Sequence, residues 1–248
     1  MKSSGLHQLG DNLWVLDFPA KLLGTAIGRR STVLRLTNGE LLVHSSAPFR
    51  AEDVAAITTL GPVAYLLDAS NFHDTFAAEG TAAFPQARFF APEGFPAPAG
   101  RRVESLAKPP PAWADDLAVQ RIDGMPSVNE HAILHRPSRT LMVADLVFNM
   151  RTTTDMWTTF FFRYLAGTFG RVGMSRMFRL MIRDRVAFLE SIRTVLAWEF
   201  DRLITGHGEI VETGGKRDLK AAVESALRVT LEPALADQEP PPPQGSPP

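Results

Sequence analysis

The stretch VAYLLDASNFHDTFAAEG, residues 63–80, predicts an apolar strand that runs into a loop carrying one histidine, His73. Loops at the carboxyl ends of strands are where α/β proteins usually place their chemistry. Two later stretches repeat this arrangement, because LMVADLVFN contains Asp145 and LITGHGE contains His207 between two glycines. An aspartate within an apolar run is costly to bury unless it is paired or binds a cation. His73, Asp145 and His207 are therefore the first candidates for a functional site.

The composition of the 248-residue chain narrows the possible functions. Hydrophobic residues make up 45% and charged residues 21%, which is typical of a soluble globular protein. The net charge of −1 creates no overall field that would attract nucleic acid, so we expect no nucleic-acid partner. The chain has no cysteine. This excludes disulfides, thiolate nucleophiles and cysteine zinc sites, and it leaves histidine and carboxylate side chains as the metal ligands.

Two features bear on the location of the protein. The first residues, MKSSGLHQLGDNLWVLDF, contain no long apolar run of the kind found in a signal peptide. A transmembrane helix needs about 18 or more consecutive apolar residues, and the sequence has no such stretch. These features predict a cytoplasmic protein.

Strand and helix patterns alternate along the chain in two halves. STVLRLTNGELLVHSSA is two apolar runs joined by Asn38-Gly39, a strong hairpin signal, and RPS joins EHAILH to RTLMVADLVF in a second hairpin. Helical patterns follow each set of strands, the longest over residues 152–199. This order predicts a layered α/β sandwich with mixed sheets, formed by one domain over residues 1–232. The proline-rich tail, residues 233–248, is predicted to be disordered.

The order of several segments resembles the metallo-β-lactamase fold superfamily, and in particular a bacterial and plant branch known as DUF4336. The segments are DNLWVLD, NGELLVHSSA, LGPVAYLLDASNFH, NEHAILHRPSRTLMVADLVFN and FDRLITGHGEIV. The resemblance covers nearly the whole predicted domain. It implies an α/β (α+β) fold, a four-layer αββα sandwich of two mixed β-sheets, with a metal site at one edge between the sheets. Most members of the superfamily are hydrolases, while some are oxidoreductases or act on nucleic acids.

Residue by residue, the resemblance is strongest at two positions. The bridging aspartate of the family falls on Asp145, and its last histidine, in a Gly-His-Gly loop, falls on His207. The family motif His-x-His-x-Asp-His falls on residues 71–76, where Asn71 and His73 replace the first two histidines. The Asp-His pair of that motif would fall on Thr75 and Phe76, so half of the motif is missing.

Other residues can supplement the predicted metal site. The family's middle histidine would fall near Gly124-Met125, where the chain has none, so Glu130 or His131 is the alternative. These two neighbours face opposite sides of a strand, and at most one is expected to point inward. Histidine is the better ligand type, whereas the pattern of the branch favours Glu130. His44 is a further candidate, and a buried, hydrogen-bonded histidine is the alternative for it. His131 and His135 are predicted to be exposed residues on the hairpin surface.

These ligands are enough for one divalent ion, and zinc is favoured over Fe(II). The first hypothesis is a mononuclear hydrolase that uses the ion to activate water and acts on a small ester, thioester, lactone or phosphoester. The second is a catalytically inactive relative that acts as a binding or interaction module. An iron-dependent oxygenase is a third possibility. Convergence of the ligands favours an enzyme, whereas a cleft filled by Phe76 or Met125 favours a binding module.

Residues 156–185 are rich in aromatic residues, methionine and arginine. One interpretation is a buried helix with solvated arginines. Another is a lid or a dimer surface beside the metal site, because large apolar patches with arginine at their rim mark interaction sites. Peripheral membrane contact through this segment is a third alternative.

Overall fold

The computed structural model describes residues 5–232, and the predicted tail lies outside the described residues. The strands are β1 (His7–Gly10), β2 (Leu13–Phe18), β3 (Lys21–Leu22), β4 (Thr25–Ala26), β5 (Arg29–Arg35), β6 (Leu41–His44), β7 (Val63–Leu67), β8 (Arg88–Ala91), β9 (Val103–Ser105), β10 (Leu117–Arg121), β11 (His131–His135), β12 (Thr140–Val143), β13 (Phe148–Asn149), β14 (Val172–Gly173) and β15 (Arg202–Thr205). The helices are α1 (Ala51–Thr58), α2 (Ala77–Ala83), α3 (Met156–Phe160), α4 (Arg176–Leu180), α5 (Arg185–Leu196) and α6 (Gly215–Leu227). A π-helical turn, Phe161–Ala166, directly follows α3.

The strands form two mixed main sheets. The larger has the order β1-β2-β5-β6-β7-β8-β9; its pairs are antiparallel from β1 to β6 and parallel from β6 to β9. The smaller has the order β10-β11-β12-β15, in which only β12 and β15 are parallel. Both predicted hairpins are confirmed as the antiparallel pairs β5–β6 and β11–β12. At the first turn Gly39 has φ +85°, a conformation that favours glycine.

Three clusters of buried apolar side chains separate four layers. In the first, Ile57 of α1 and Ala77 of α2 pack on the outer face of the seven-stranded sheet. In the second, the two sheets face each other, with Leu42 on one side and Met142 on the other. In the third, α5 and α6 cover the outer face of the four-stranded sheet. The predicted four-layer αββα sandwich is therefore confirmed.

The hairpin β11–β12 is not at the surface, and the prediction of exposed His131 and His135 was wrong. Both side chains are buried, with 2% and 0% of their area exposed. The reason is that β11 is an internal strand of a sheet whose two faces are both covered. Burial lowers the pKa of each imidazole to about 4. His135 Nδ1 lies 2.6 Å from Ser138 Oγ.

The two sheets meet at the edge where β7, β12 and β15 end. Parallel β12 and β15 end side by side, and β7 reaches the same edge from the other sheet. The His131 N–H donates to Ala69 O at 2.7 Å, and the Arg30 N–H donates to Gly206 O at 3.1 Å. These backbone hydrogen bonds fix the loops of one sheet against the other, so side chains from both can converge on one site.

Residues 152–199 are mostly helical, as predicted, but they form short helices rather than one long one. Strand β14, which lies in this region, pairs antiparallel with β13, which precedes it in the chain. Within residues 5–232, none of the helices combines the length and apolar character needed to cross a bilayer.

Candidate metal centre

His73, Asp145 and His207 converge at the shared edge of the sheets. His73 Nε2 lies 3.4 Å from Asp145 Oδ2, and His207 Nε2 lies 3.4 Å from Asp145 Oδ1. One ligand atom from each residue can be chosen so that all three lie within 4.8 Å of one another. Ligand atoms bound to a tetrahedral zinc ion at about 2.0–2.1 Å are themselves about 3.4 Å apart. The spacing of these three side chains therefore fits a single ion.

The His207 imidazole is held in the tautomer that a metal requires. Its Nδ1 lies 2.6 Å from Gly28 O. A carbonyl oxygen only accepts, so Nδ1 carries the proton and Nε2 keeps its lone pair. The ring also stacks on Phe148, with centroids 5.6 Å apart and planes 10° from parallel. A hydrogen bond on one nitrogen and a ring against one face fix the direction of Nε2.

A side chain is excluded at Gly206 and at Gly208, on either side of His207, for different structural reasons. A Cβ on Gly206 would lie 2.8 Å from His73 Cε1 and 2.7 Å from Ala144 O, so a side chain there would displace the His73 imidazole. Gly208 has φ +85°, and a Cβ there would lie 2.3 Å from Asn149 O. The Gly-His-Gly pattern thus permits the close packing of the loops that carry His73 and His207.

His73 follows β7 in a short 3₁₀ turn, Asn71–His73, in which the Phe72 N–H donates to Ser70 Oγ. The imidazole is buried, and its Nδ1 lies 3.4 Å from Ser45 Oγ. Burial, together with the nearby Arg29, lowers the pKa of His73 to about 4, so the ring is neutral at pH 7. Its Nε2 makes no hydrogen bond of acceptable geometry within the described chain, although Asp145 is close. A buried, neutral imidazole nitrogen without a partner is suited to a cation.

Glu130 positions the loop that carries Asp145 and lies outside the ligand cluster. Its two carboxylate oxygens accept the N–H groups of Ala144, Asp145 and Leu146 at 2.9, 3.0 and 3.0 Å. Burial and the charge of Asp145 raise the pKa of Glu130 to about 8. Burial also tends to raise the pKa of Asp145, but His73 and His207 outweigh it and hold that pKa well below its ordinary value.

The remaining predicted ligands are near the site but not in the three-residue cluster. His44 is buried, and its Nε2 has no hydrogen-bond partner among residues 5–232; burial, with His73 and Arg29 nearby, lowers its pKa to about 3. Asn71 lines the cavity beside His73, and its Oδ1 is likewise buried without a partner among the described residues. A ligand role for Asn71 stays a prediction.

A buried ion pair behind His73 was missed by the sequence analysis. Arg29 Nη2 lies 3.4 Å from Asp68 Oδ1 and donates to His73 O at 3.1 Å, while its Nε donates to Ser46 O. Burial lowers the pKa of Arg29 and raises that of Asp68. Asp68 at the end of the apolar run VAYLLDA was the available signal, because a carboxylate there needs a cation as its partner. The pair fixes the backbone of His73 and places a positive charge beside the cluster.

A cavity of about 690 Å³ opens above the cluster. Arg29, His73, Asp145 and His207 form its polar floor, and most of its walls are apolar. Phe76 lines a wall without closing the cavity, and Met125 is buried in the cluster beneath α5 and α6. Neither residue therefore fills the space above the ligands.

The fold is shared with solved metallo-β-lactamases. An enzyme from Erythrobacter litoralis is 12% identical, with a TM-score of 0.62 over 90% of this chain and 96% of that one. One from Pontibacter korlensis is 12% identical, with a TM-score of 0.59 over 90% and 98%. FIM-1 from Pseudomonas aeruginosa, in its mono-zinc form, is 10% identical, with a TM-score of 0.60 over 92% and 97%. Identities this low establish the fold alone.

The four-layer sandwich is therefore the fold of the solved metallo-β-lactamases. Residues 10–158, more than half of the chain, match the family model described as Domain of unknown function (DUF4336). The chain belongs to the DUF4336 family. No curated protein matches the sequence.

Proposed function

We propose that this protein is a hydrolase that depends on one divalent metal ion held by His73, Asp145 and His207. The observation that carries the proposal is the proximity of the three ligand side chains around the buried His73 Nε2, which makes no hydrogen bond of acceptable geometry within residues 5–232. When bound, a divalent ion supplies Lewis acidity and a water of lowered pKa. The substrate class that we propose is a small ester, thioester, lactone or phosphoester.

A single ion fits this donor set better than two. The positions that would complete a second set are occupied by Thr75, Phe76 and Met125, which are poor metal ligands. Arg29 also places a fixed positive charge close to the cluster, which disfavours a second cation. The mono-zinc form of FIM-1 is an example of one zinc ion in this fold.

Zinc is our first choice for the ion. Two histidines, one carboxylate and an open position form a common catalytic zinc site, and the three side chains lie close enough together to share one ion. The same donor set also serves Fe(II) in oxygenases, so an iron enzyme is the alternative that metal analysis would distinguish.

The other residues of the floor have roles that do not require direct contact with the ion. We assign to Arg29, which lines the cavity, the stabilisation of negative charge on a substrate oxygen. Asp74 is the only carboxylate besides Asp145 that lines the cavity within residues 5–232. We assign to it the role of proton acceptor.

The competing hypothesis is a catalytically inactive module that binds a small molecule. The open cavity would serve either function, so the test has to measure turnover. Zinc-loaded protein should hydrolyse at least one member of a panel of esters, thioesters, lactones and phosphoesters, lose that activity with chelator and regain it with zinc. His207→Ala should be inactive, and His7→Ala, an exposed histidine in β1, should behave as wild type. A panel without any metal-dependent turnover would contradict the hydrolase and favour the binding module.

A further inference from the structure

The cavity above the ligand cluster combines two different surfaces. The floor is charged and carries the candidate chemistry, whereas the walls are formed by aliphatic and aromatic side chains from three parts of the chain. These are Ile27 near the β3–β4 hairpin, Phe148 after β12, and Phe161, Phe162 and Phe178 from the helical region 156–181. A small polar substrate would leave these walls in contact with water.

The rim of the cavity is apolar as well. Leu22, Leu23, Phe72, Leu165 and Met177 line the cavity, yet between 43% and 66% of each side chain's surface is exposed. Large exposed apolar groups that converge on one opening indicate a binding site. The volume, about 690 Å³, lies in the range of roughly 300–1,000 Å³ typical of sites that enclose much larger ligands than an acetyl group.

We propose that the substrate is a fatty acyl ester or thioester, with its acyl chain against the apolar walls and its carbonyl at the charged floor. This inference rests on the proposed hydrolase function. In the reaction, the oxygen of water forms a bond to the carbonyl carbon and the bond from that carbon to the ester oxygen or thioester sulfur breaks. The leaving group takes up a proton, so the products are a fatty acid and an alcohol or thiol.

The test is a chain-length series of 4-nitrophenyl esters, from acetate to dodecanoate, with the zinc-loaded protein. Each methylene buried in the cavity should raise kcat/KM roughly fourfold until the cavity is full. Leu165→Gln at the rim and Ala166→Phe inside the cavity should weaken the dependence on chain length. Val186→Gln is the matched control, since Val186 is exposed outside the cavity.

A second readout separates this inference from the proposed function. Dodecanoate and butyrate are titrated into the same proteins by calorimetry, which needs no turnover. Tighter binding of dodecanoate that Leu165→Gln weakens would support the acyl site even if no ester is hydrolysed. A kcat/KM that is constant or falls with chain length, together with equal binding of the two acids, would overturn the acyl site and leave the proposed hydrolase function unaffected.

An independent observation concerns the surface beyond the cavity. Met156, Trp157, Phe160 and Tyr164 are exposed on α3 and the π-helical turn, Met156 by 88%. Trp157 stacks on Phe160, and Phe160 packs on Tyr164, with ring centroids 5.8 and 5.2 Å apart. Trp157 Nε1 donates to Leu23 O at 3.1 Å, which joins this aromatic surface to the rim of the cavity.

The same region is strongly basic. Residues 151–185 contain seven arginines, all exposed, and two aspartates, whereas the whole chain has a net charge of −1. Both aspartates are engaged as helix caps, Asp155 on α3 and Asp184 on α5. Four of the seven arginines and neither aspartate lie within residues 156–181. A segment that exposes both aromatic side chains and arginines is complementary to an anionic lipid surface. We therefore propose that residues 156–181 and the β3–β4 hairpin dock on anionic membranes, with the cavity opening toward the lipid.

Co-sedimentation with vesicles tests the docking. Phosphatidylcholine vesicles with about a third phosphatidylglycerol should bind the protein at least about tenfold more tightly than pure phosphatidylcholine, and high salt should weaken the binding. Replacing Trp157 and Phe160 together by serine should abolish it, while Val186→Ser should not. Equal binding to both vesicles, or none, would overturn the proposal. So would a dimer in solution that the Trp157/Phe160 variant dissociates, because a second copy would then cover the surface.

Discussion

The floor and the cover of the cavity are built in different ways. Three side chains of the floor, His73, Asp145 and His207, emerge from loops that follow strands, whereas Arg29 is the first residue of β5. Glu130 and Gly28 O accept hydrogen bonds from the loops of Asp145 and His207, and Arg29 donates one to the backbone of His73. The cover is formed by the β3–β4 hairpin and residues 156–181. It contains short helices and strands of two residues, and its largest side chains are exposed. The floor can therefore hold reacting groups at fixed distances, while the cover can adapt to the shape of a substrate. Substitutions in these two regions should have very different consequences.

Loss of Glu130 should have the largest effect on stability. Glu130→Ala leaves three buried backbone N–H groups without an acceptor, and the free energy of unfolding should fall by roughly 3 kcal/mol or more. Chemical denaturation measures the change. Glu130→Gln, which keeps one acceptor oxygen, should lose less. Equal stability of the alanine variant and the wild type would show that the floor does not depend on this carboxylate.

Acid should weaken the sheet behind the floor. His131 and His135 have pKa values of about 4 in the folded protein, below the ordinary value of 6.5. The unfolded chain therefore binds more protons between pH 4 and pH 6.5, and stability is complete above that window and decreases as the pH falls through it. When the pH falls from 7 to 5, the free energy of unfolding should decrease by roughly 2 kcal/mol for each of the two histidines.

Denaturation of the wild type at pH 7 and pH 5 tests this prediction, with His135→Gln as the comparison. The variant should lose less stability between the two pH values because one of the two groups is absent. An identical decrease in both proteins would contradict the assigned role of His135.

Gly206→Ala should damage the floor without removing a ligand. The added methyl group would lie 2.8 Å from His73 Cε1, so the imidazole has to move. Overpacking of this kind costs roughly 1–3 kcal/mol, and zinc affinity should fall by about 10- to 100-fold. A competition titration with a zinc indicator measures the affinity, and Gly10→Ala is the control, because Gly10 also lacks a positive φ and its added Cβ would meet only Arg202 Nη1, at 3.7 Å. Unchanged zinc affinity would show that the packing of the loop at Gly206 does not affect metal binding.

Substitutions in the cover should have the smallest effect on stability. Leu165→Ser and Met177→Ser remove half-exposed side chains, and each should change the free energy of unfolding by less than about 0.5 kcal/mol. Denaturation and the ester series together test the contrast, because the same variants should alter the dependence on chain length. A large loss of stability would mean that the cover is part of the core.

The sequence was sufficient to predict the layers and to select the three residues of the cluster. The positions of these three residues at strand ends and the Gly-His-Gly loop are visible in short stretches of sequence. The hairpin turn at Asn38-Gly39 is visible in the same way. The role of Glu130 could not be predicted in the same way, since its hydrogen bonds join residues 14 to 16 positions apart across a loop. The burial of His131 and His135 depends on β11 being an internal strand, which is a property of the assembled sheet. Arg29 likewise acquires its position only when β5 and β7 lie in one sheet.

Metal content is the most direct test of the central claim, that His73, Asp145 and His207 hold one ion. The protein is purified without a histidine tag or chelator, equilibrated with zinc, manganese or Fe(II), and analysed by mass spectrometry beside folded Asp145→Ala, His207→Ala and His7→Ala proteins. We predict about one zinc ion per chain in the wild type and His7→Ala, and less than about a tenth of that in the two ligand variants. A wild-type protein that binds none of the three metals, or ligand variants that retain the ion, would contradict the claim.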